Sequence, residues 1–135
     1  MSAWGTGNFD NDDARDWLGE LKSLAVGDLK PILARAADAT DYLEAPASSV
    51  AVAAAEAVAA LKGAPAETTP REIAEWVNGV QNPSLSALTP DFSELAIRAV
   101  ERVRTNSELK DLWMEAEGLN EWSSALRELT ARLAG

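Results

Sequence analysis

A chain of 135 residues is long enough for one core that buries well over half the surface of the unfolded polymer, and its 47% hydrophobic and 25% charged content is that of a folded globular domain. It contains no Cys and no His, which excludes disulfides, thiolate metal sites, imidazole bases and imidazole ligands. A net charge of −10, with 12 Lys and Arg dispersed singly, sets the chain against nucleic-acid backbones and anionic membrane surfaces.

The opening is the most distinctive stretch. Residues 1–10 read as an irregular lead-in packed on the helical body, with Gly5 and Gly7 around Thr6 and with Trp4 and Phe9 as anchors. Asp10-Asn11-Asp12-Asp13 then precedes an apolar series at Ala14, Trp17, Leu18, Leu21 and Leu24, which has helical spacing. Acids at that position suit the positive end of a helix and its free N–H groups. A calcium loop starting at Asp10 fails, because its fifth, sixth and twelfth positions fall on Ala14, Arg15 and Leu21. Gly5-Thr6-Gly7 has no preceding strand and no third glycine, so it is not a phosphate loop.

Gly27-Asp28 closes the first helix and opens a second, with Asp28 as cap and Pro31 in the first turn. The second helix is expected to continue through Leu43, carrying Asp38, Asp41 and Glu44 on one face, until Pro46 ends it. Ser48 or Ser49 is then expected to cap an Ala-rich helix from Val50 to Lys62, small enough on all sides to lie near the centre of the fold. Its one acid, Glu56, is either exposed on a narrow polar face or buried and paired, since an isolated buried charge is very costly.

Residues 63–70 form a Gly/Pro/Thr-rich loop, and Thr69-Pro70-Arg71-Glu72 starts a short helix with Ile73, Trp76 and Val77 on its apolar side. Gln81-Asn82-Pro83-Ser84 reads as a turn, with Leu85 and Leu88 beyond it. Thr89-Pro90-Asp91 opens an amphipathic helix along Phe92, Leu95, Ala96, Ala99, Val100 and Val103, with Glu94 and Arg98 spaced as a pair. Asn106-Ser107 breaks it and caps a helix of Leu109, Leu112, Trp113 and Ala116 that ends at Gly118. Asn120 caps the last, with Trp122, Leu126, Leu129 and Leu133 on its buried stripe. The expected fold is all-α: one domain over residues 1–135, a bundle or orthogonal array of about six or seven helices, with no sheet.

Trp4-Gly5-Thr6-Gly7, Phe9-Asp10-Asn11-Asp12-Asp13-Ala14 and Asp16-Trp17-Leu18 resemble the opening signature of the DUF4259 family of small, mostly bacterial proteins. The run Tyr42-Leu43-Glu44-Ala45-Pro46, the alanine helix and Leu109-Lys110-Asp111-Leu112-Trp113 extend the resemblance over nearly the whole chain. It implies a family and no activity.

Three function classes are open to such a chain. Without His or Cys the usual nucleophilic triads and Glu-x-x-His metal motifs cannot be built, so an enzyme is the least favoured and no cofactor or metal is expected. The favoured class is a protein-interaction or regulatory module, of immunity or inhibitor type, for a basic partner. Its candidate surface is an aromatic edge of Trp4, Phe9 and Trp17 beside Asp10, Asp12 and Asp13. The alternative is a cation or small-molecule binder that uses the same acids with Glu56. No basic-then-apolar opening and no run of roughly 18–20 apolar residues is present, so a cytoplasmic location is expected.

Overall fold

The computed structural model describes residues 7–79 and 90–135, and these contain seven α-helices and no strand. The helices are α1 (Asp12–Leu21), α2 (Leu29–Ala37), α3 (Ala45–Leu61), α4 (Arg71–Gly79), α5 (Pro90–Thr105), α6 (Glu108–Glu115) and α7 (Leu119–Ala134). A 3-10 turn at Val26–Asp28 leads into α2. Trp4, the expected turn at residues 81–84, Leu85, Leu88 and the Thr89 cap lie outside the described residues. Among those described, no helix is long and apolar enough to cross a membrane.

The fold is organised around α3. Every residue from Ala51 to Leu61 is buried, and α3 packs against each of the other six helices. A helix apolar on all sides belongs in the interior. Alanine suits it because the side chain loses no rotamer freedom and adds little girth. The surrounding helices are one-sided instead. Helix α1 buries Ala14, Trp17, Leu18 and Leu21, and α7 buries Trp122, Leu126, Leu129 and Leu133, both at helical spacing. Helix α5 turns Phe92, Leu95, Ala96, Ala99, Val100 and Val103 inward.

Several helix ends differ from the sequence expectation. Helix α2 stops at Ala37 and does not reach Glu44. Pro46 sits in the first turn of α3, where its missing N–H costs nothing, so it opens a helix and does not close one. Ser48 and Ser49 are therefore buried inside α3; Ser48 Oγ donates to the Glu44 carbonyl at 2.9 Å. The cap of α3 comes from a distant helix, because the Ala45 N–H donates to Glu108 Oε1 at 2.8 Å and the Glu108 N–H to the Leu43 carbonyl at 2.8 Å. Asp38, Asp41 and Glu44 thus occupy a connection and form no helical stripe. That connection is fastened to α5 by Arg102, which donates to the carbonyls of Ala39 (2.5 Å) and Asp41 (2.9 Å).

Caps follow the same lesson. Asn11, and neither neighbouring Asp, caps α1, accepting the Ala14 N–H at 2.8 Å. Asp28 lies in the 3-10 turn and accepts the Ala25 N–H at 2.8 Å. Helix α7 begins at Leu119, so Asn120 is inside it. Arg98 reaches across to Asp38 at 3.0 Å and leaves Glu94 without it. Ser107 caps α6 as expected, accepting the Lys110 N–H at 3.1 Å and donating to the Val103 carbonyl at 2.6 Å. Helices α3 and α6 end in the same left-handed closure. Gly63 (φ 84°) takes that position after α3, but Glu117 (φ 62°), one residue before the glycine, takes it after α6.

The close approach of neighbours to α3 leaves no room for larger side chains. Ala54 is fully buried. Ala54→Leu is expected to lower stability by about 1–3 kcal/mol in urea unfolding, through off-rotamer packing and helix displacement. A loss no larger than that of an exposed alanine substitution would show that the helices around α3 are loosely packed.

Candidate functional site

Helix α3 carries Glu56 into the interior, where only 2% of it is exposed. Arg132 on α7 meets it in a two-pronged contact, Nη1 donating to Oε1 at 2.8 Å and Nη2 to Oε2 at 3.0 Å. Asn8 in the lead-in donates through Nδ2 to Oε2 at 2.6 Å. Arg132 also donates from Nε to Glu128 at 2.5 Å, and from Nη1 to the Ala64 carbonyl at 3.1 Å, just past the end of α3. Burial opposes the charge on Arg132, but its hydrogen bonds to Glu56 and Glu128 outweigh that and raise its pKa above the ordinary value. Of the two possibilities open for Glu56, the structure shows the buried and paired one. Both of its oxygens are committed to fixed donors.

The N-terminal candidates divide differently. Trp4 lies outside the described residues. Phe9 and Trp17 are core side chains, 6% and 4% exposed, so neither offers an aromatic edge to a partner. Their apolar bodies face the interior for the same reason as the rest of the α1 stripe. Asp10 closes a tight turn, its carboxylate accepting the Gly7 N–H at 3.1 Å and its own N–H donating to the Gly7 carbonyl at 3.1 Å. Asp12 is exposed and Asp13 half-buried in the first turn of α1, where the helix dipole favours negative charge. Glu56 is joined to the lead-in through Asn8 and not through these acids. Among the described residues, no group of three or more carboxylates is arranged to hold a metal ion.

A different surface stands out. Among the described residues the large hydrophobic side chains left exposed are Tyr42, at 56%, and Met114, at 49%. Tyr42, in the connection between α2 and α3, donates its phenol to Asp111 Oδ2 on α6 at 2.5 Å. Met114 and Glu115 lie one turn further along α6 on the side of Asp111. The phenol pKa is pushed up to about 12, first by the hydrogen bond to Asp111 and further by the negative charges of Asp111, Glu108 and Glu115. The result is an aromatic and a thioether side chain set among three acids. Met114 was legible in principle: it falls off the stripe of Leu109, Leu112, Trp113 and Ala116. The pairing of Tyr42 with Asp111, 69 residues away, was not.

The model of a domain of unknown function, DUF4259, matches residues 2–125 of the chain. No curated protein and no solved structure is detectably similar to it.

Two measurements test this geometry. Glu56→Ala and Arg132→Ala are each expected to cost about 3–5 kcal/mol in urea unfolding, because each leaves a buried charge without its partner. The double variant Glu56→Met/Arg132→Met is expected to cost far less than their sum. Single losses below about 1 kcal/mol would mean that the pair is solvated and does not hold the fold. Tyr42 is the one tyrosine in the chain, so tyrosinate absorbance at 295 nm reports it alone. The midpoint is expected near pH 12 and nearer 10 in Asp111→Asn. Because the folded pKa is raised, the contact's contribution to stability is complete below pH 10 and is lost as pH rises through 12. Equal midpoints in the two proteins would remove the hydrogen bond from the account.

Proposed function

The chain belongs to the DUF4259 family, and we propose that it is a protein-interaction module whose partner is basic. One observation carries the reading. Among the described residues the large hydrophobic side chains left exposed are Tyr42, which is bonded to Asp111 of α6, and Met114, one turn further along that helix, whose same side carries Glu108, Asp111 and Glu115. Protein interfaces concentrate Tyr and Met in the centre of the contact and leave charge at its rim. Tyrosine adds contact area at low entropic cost, and here its orientation is already held by Asp111. The acidic rim and the net charge of −10 favour encounter with a positively charged surface.

The recognition surface is then on α6 and not in the N-terminal stretch. Phe9 and Trp17 serve the core, and Asp10 serves a turn. Glu56 is a structural group on this view, since its carboxylate is buried and held by Arg132 and Asn8.

The test is site-specific photocrosslinking. Benzoylphenylalanine at position 42 or 114 is expected to trap a discrete basic protein in lysate of the source cells, while the same group at exposed Ser23 traps none. Asp111→Asn/Glu115→Gln should weaken the capture severalfold, and raised salt should do the same. Equal trapping at positions 42, 114 and 23, or trapping that ignores both charge and salt, would overturn the proposal.

A further inference from the structure

A groove runs beside this face, between the last turns of α2 and the first turns of α3. Ile32 and Ala36 form one wall, and Pro46, Ala47 and Val50 the other, enclosing about 300 Å³. Through Arg35, Glu44 and Ala47 it continues into a second hollow of about 420 Å³ over the connection, where Asp41 and Tyr42 stand. Ile32, Ala47 and Val50 are only half-buried by their own chain. The first hollow is at the lower end of the roughly 300–1,000 Å³ typical of ligand pockets, which suits one or two side chains better than a large cofactor.

Charge divides the groove. Asp38 is neutralised by Arg98 at 3.0 Å. The carboxylates of Asp41 and Glu44 are exposed and bond to nothing else among the described residues. Arg35 lies at the seam between the two hollows. An occupant therefore meets an apolar slot, then a seam that carries Glu44 and Arg35, then Asp41 in the second hollow.

We propose that this groove docks a short amphipathic segment of a basic protein. An aliphatic side chain enters between α2 and α3, and an Arg or Lys one or two residues on meets Asp41 and Glu44. This rests on the interaction-module reading and specifies what the partner presents. Tyr42 belongs to both surfaces, since it lines the second hollow while its hydroxyl is tied to Asp111. A partner seated on α6 thus extends into the groove without a break. The apolar slot supplies contact area, and the free carboxylates select the sign of charge beside it.

The experiment is an amide NMR titration of the full chain with two blocked peptides, Leu-Ala-Arg-Arg and Leu-Ala-Glu-Glu. The first is expected to give saturable shifts confined to residues 32–36 and 40–50, and the second none. Asp41→Asn/Glu44→Gln should weaken the first peptide about fivefold, the effect of losing two exposed ion pairs, and Arg35→Gln should tighten it. None of these three side chains carries a fold contact, so the variants are expected to stay folded. Equal binding of both peptides, shifts elsewhere, or no shifts would overturn the proposal. Shifts at the groove that appear on concentrating the protein alone would also overturn it, with a second copy as the occupant. Crosslinking at positions 42 and 114 with no peptide shifts would fail the groove alone. Peptide shifts without crosslinking would fail the α6 face alone.

Discussion

A helix buried on every side has no place to put a charge, and α3 carries one. Glu56 among Ala53, Ala54, Ala55, Ala57, Val58 and Ala59 forces the rest of the chain to bring it a cation and donors. The cation comes from α7, 76 residues away, and the further donor from Asn8, 48 residues away. Arg132 then spends a remaining N–H on the Ala64 carbonyl, just beyond the glycine that ends α3. One carboxylate thus fixes the position of the final helix, the seat of the lead-in and the exit from the central helix. Lys62 adds a second tie between the same two helix ends by donating to the Leu133 carbonyl. A greasy replacement of the pair would pack as well, but it would not dictate which residue of α7 lies over which residue of α3. Registry is the best-attested use of such buried ion pairs.

The same economy of polar contacts explains how far the sequence could be read. Helical periodicity found α1, α5, α6 and α7, because each buries one stripe against α3 and leaves the other side wet. It also found that α3 is central, since an alanine helix with one charge has no outer face to show. Ser107 was legible as a cap because its partner, the Lys110 N–H, is three residues away. The failures share the opposite property. The start of α3 was misplaced because the acceptor for its first N–H is Glu108, 63 residues on, and no local signal announces it. Asp38, Asp41 and Glu44 looked like a stripe because their spacing is helical. The chain between them is instead irregular, and Arg102 from α5 holds it through the carbonyls of Ala39 and Asp41.

For the candidate site, sequence separated chemistry from position only in part. Glu56 stands out in the sequence because a lone carboxylate in alanine is conspicuous, yet nothing nearby in sequence chooses between exposure and pairing. Asp12 and Asp13 drew attention by crowding, while Asn11 between Asp10 and Asp12 does the capping. An uncharged amide caps as well as a carboxylate, and it leaves the following acids free to act through the dipole alone. Phe9 and Trp17 suit an interface by residue type, because large aromatics are its usual anchors. In a domain of this size the core claims them first.

What the core does not claim is therefore more informative than what it does. Among the described residues Tyr42 and Met114 are the large hydrophobic side chains that remain outside, and Tyr42 stands in the field of Asp111, Glu108 and Glu115. Glu108 is the hinge of that arrangement: its carboxylate accepts from the first N–H of α3, while its charge adds to the field around the Tyr42 phenol. The contact that sets where α3 begins also fixes the connection on which Tyr42 stands. Its neighbours Asp41 and Glu44 are left at the mouth of the groove by the same constraint. The exposed face is thus held in shape from the central helix outward. For the partner proposed above, a face held in this way would lower the entropic cost of recognition.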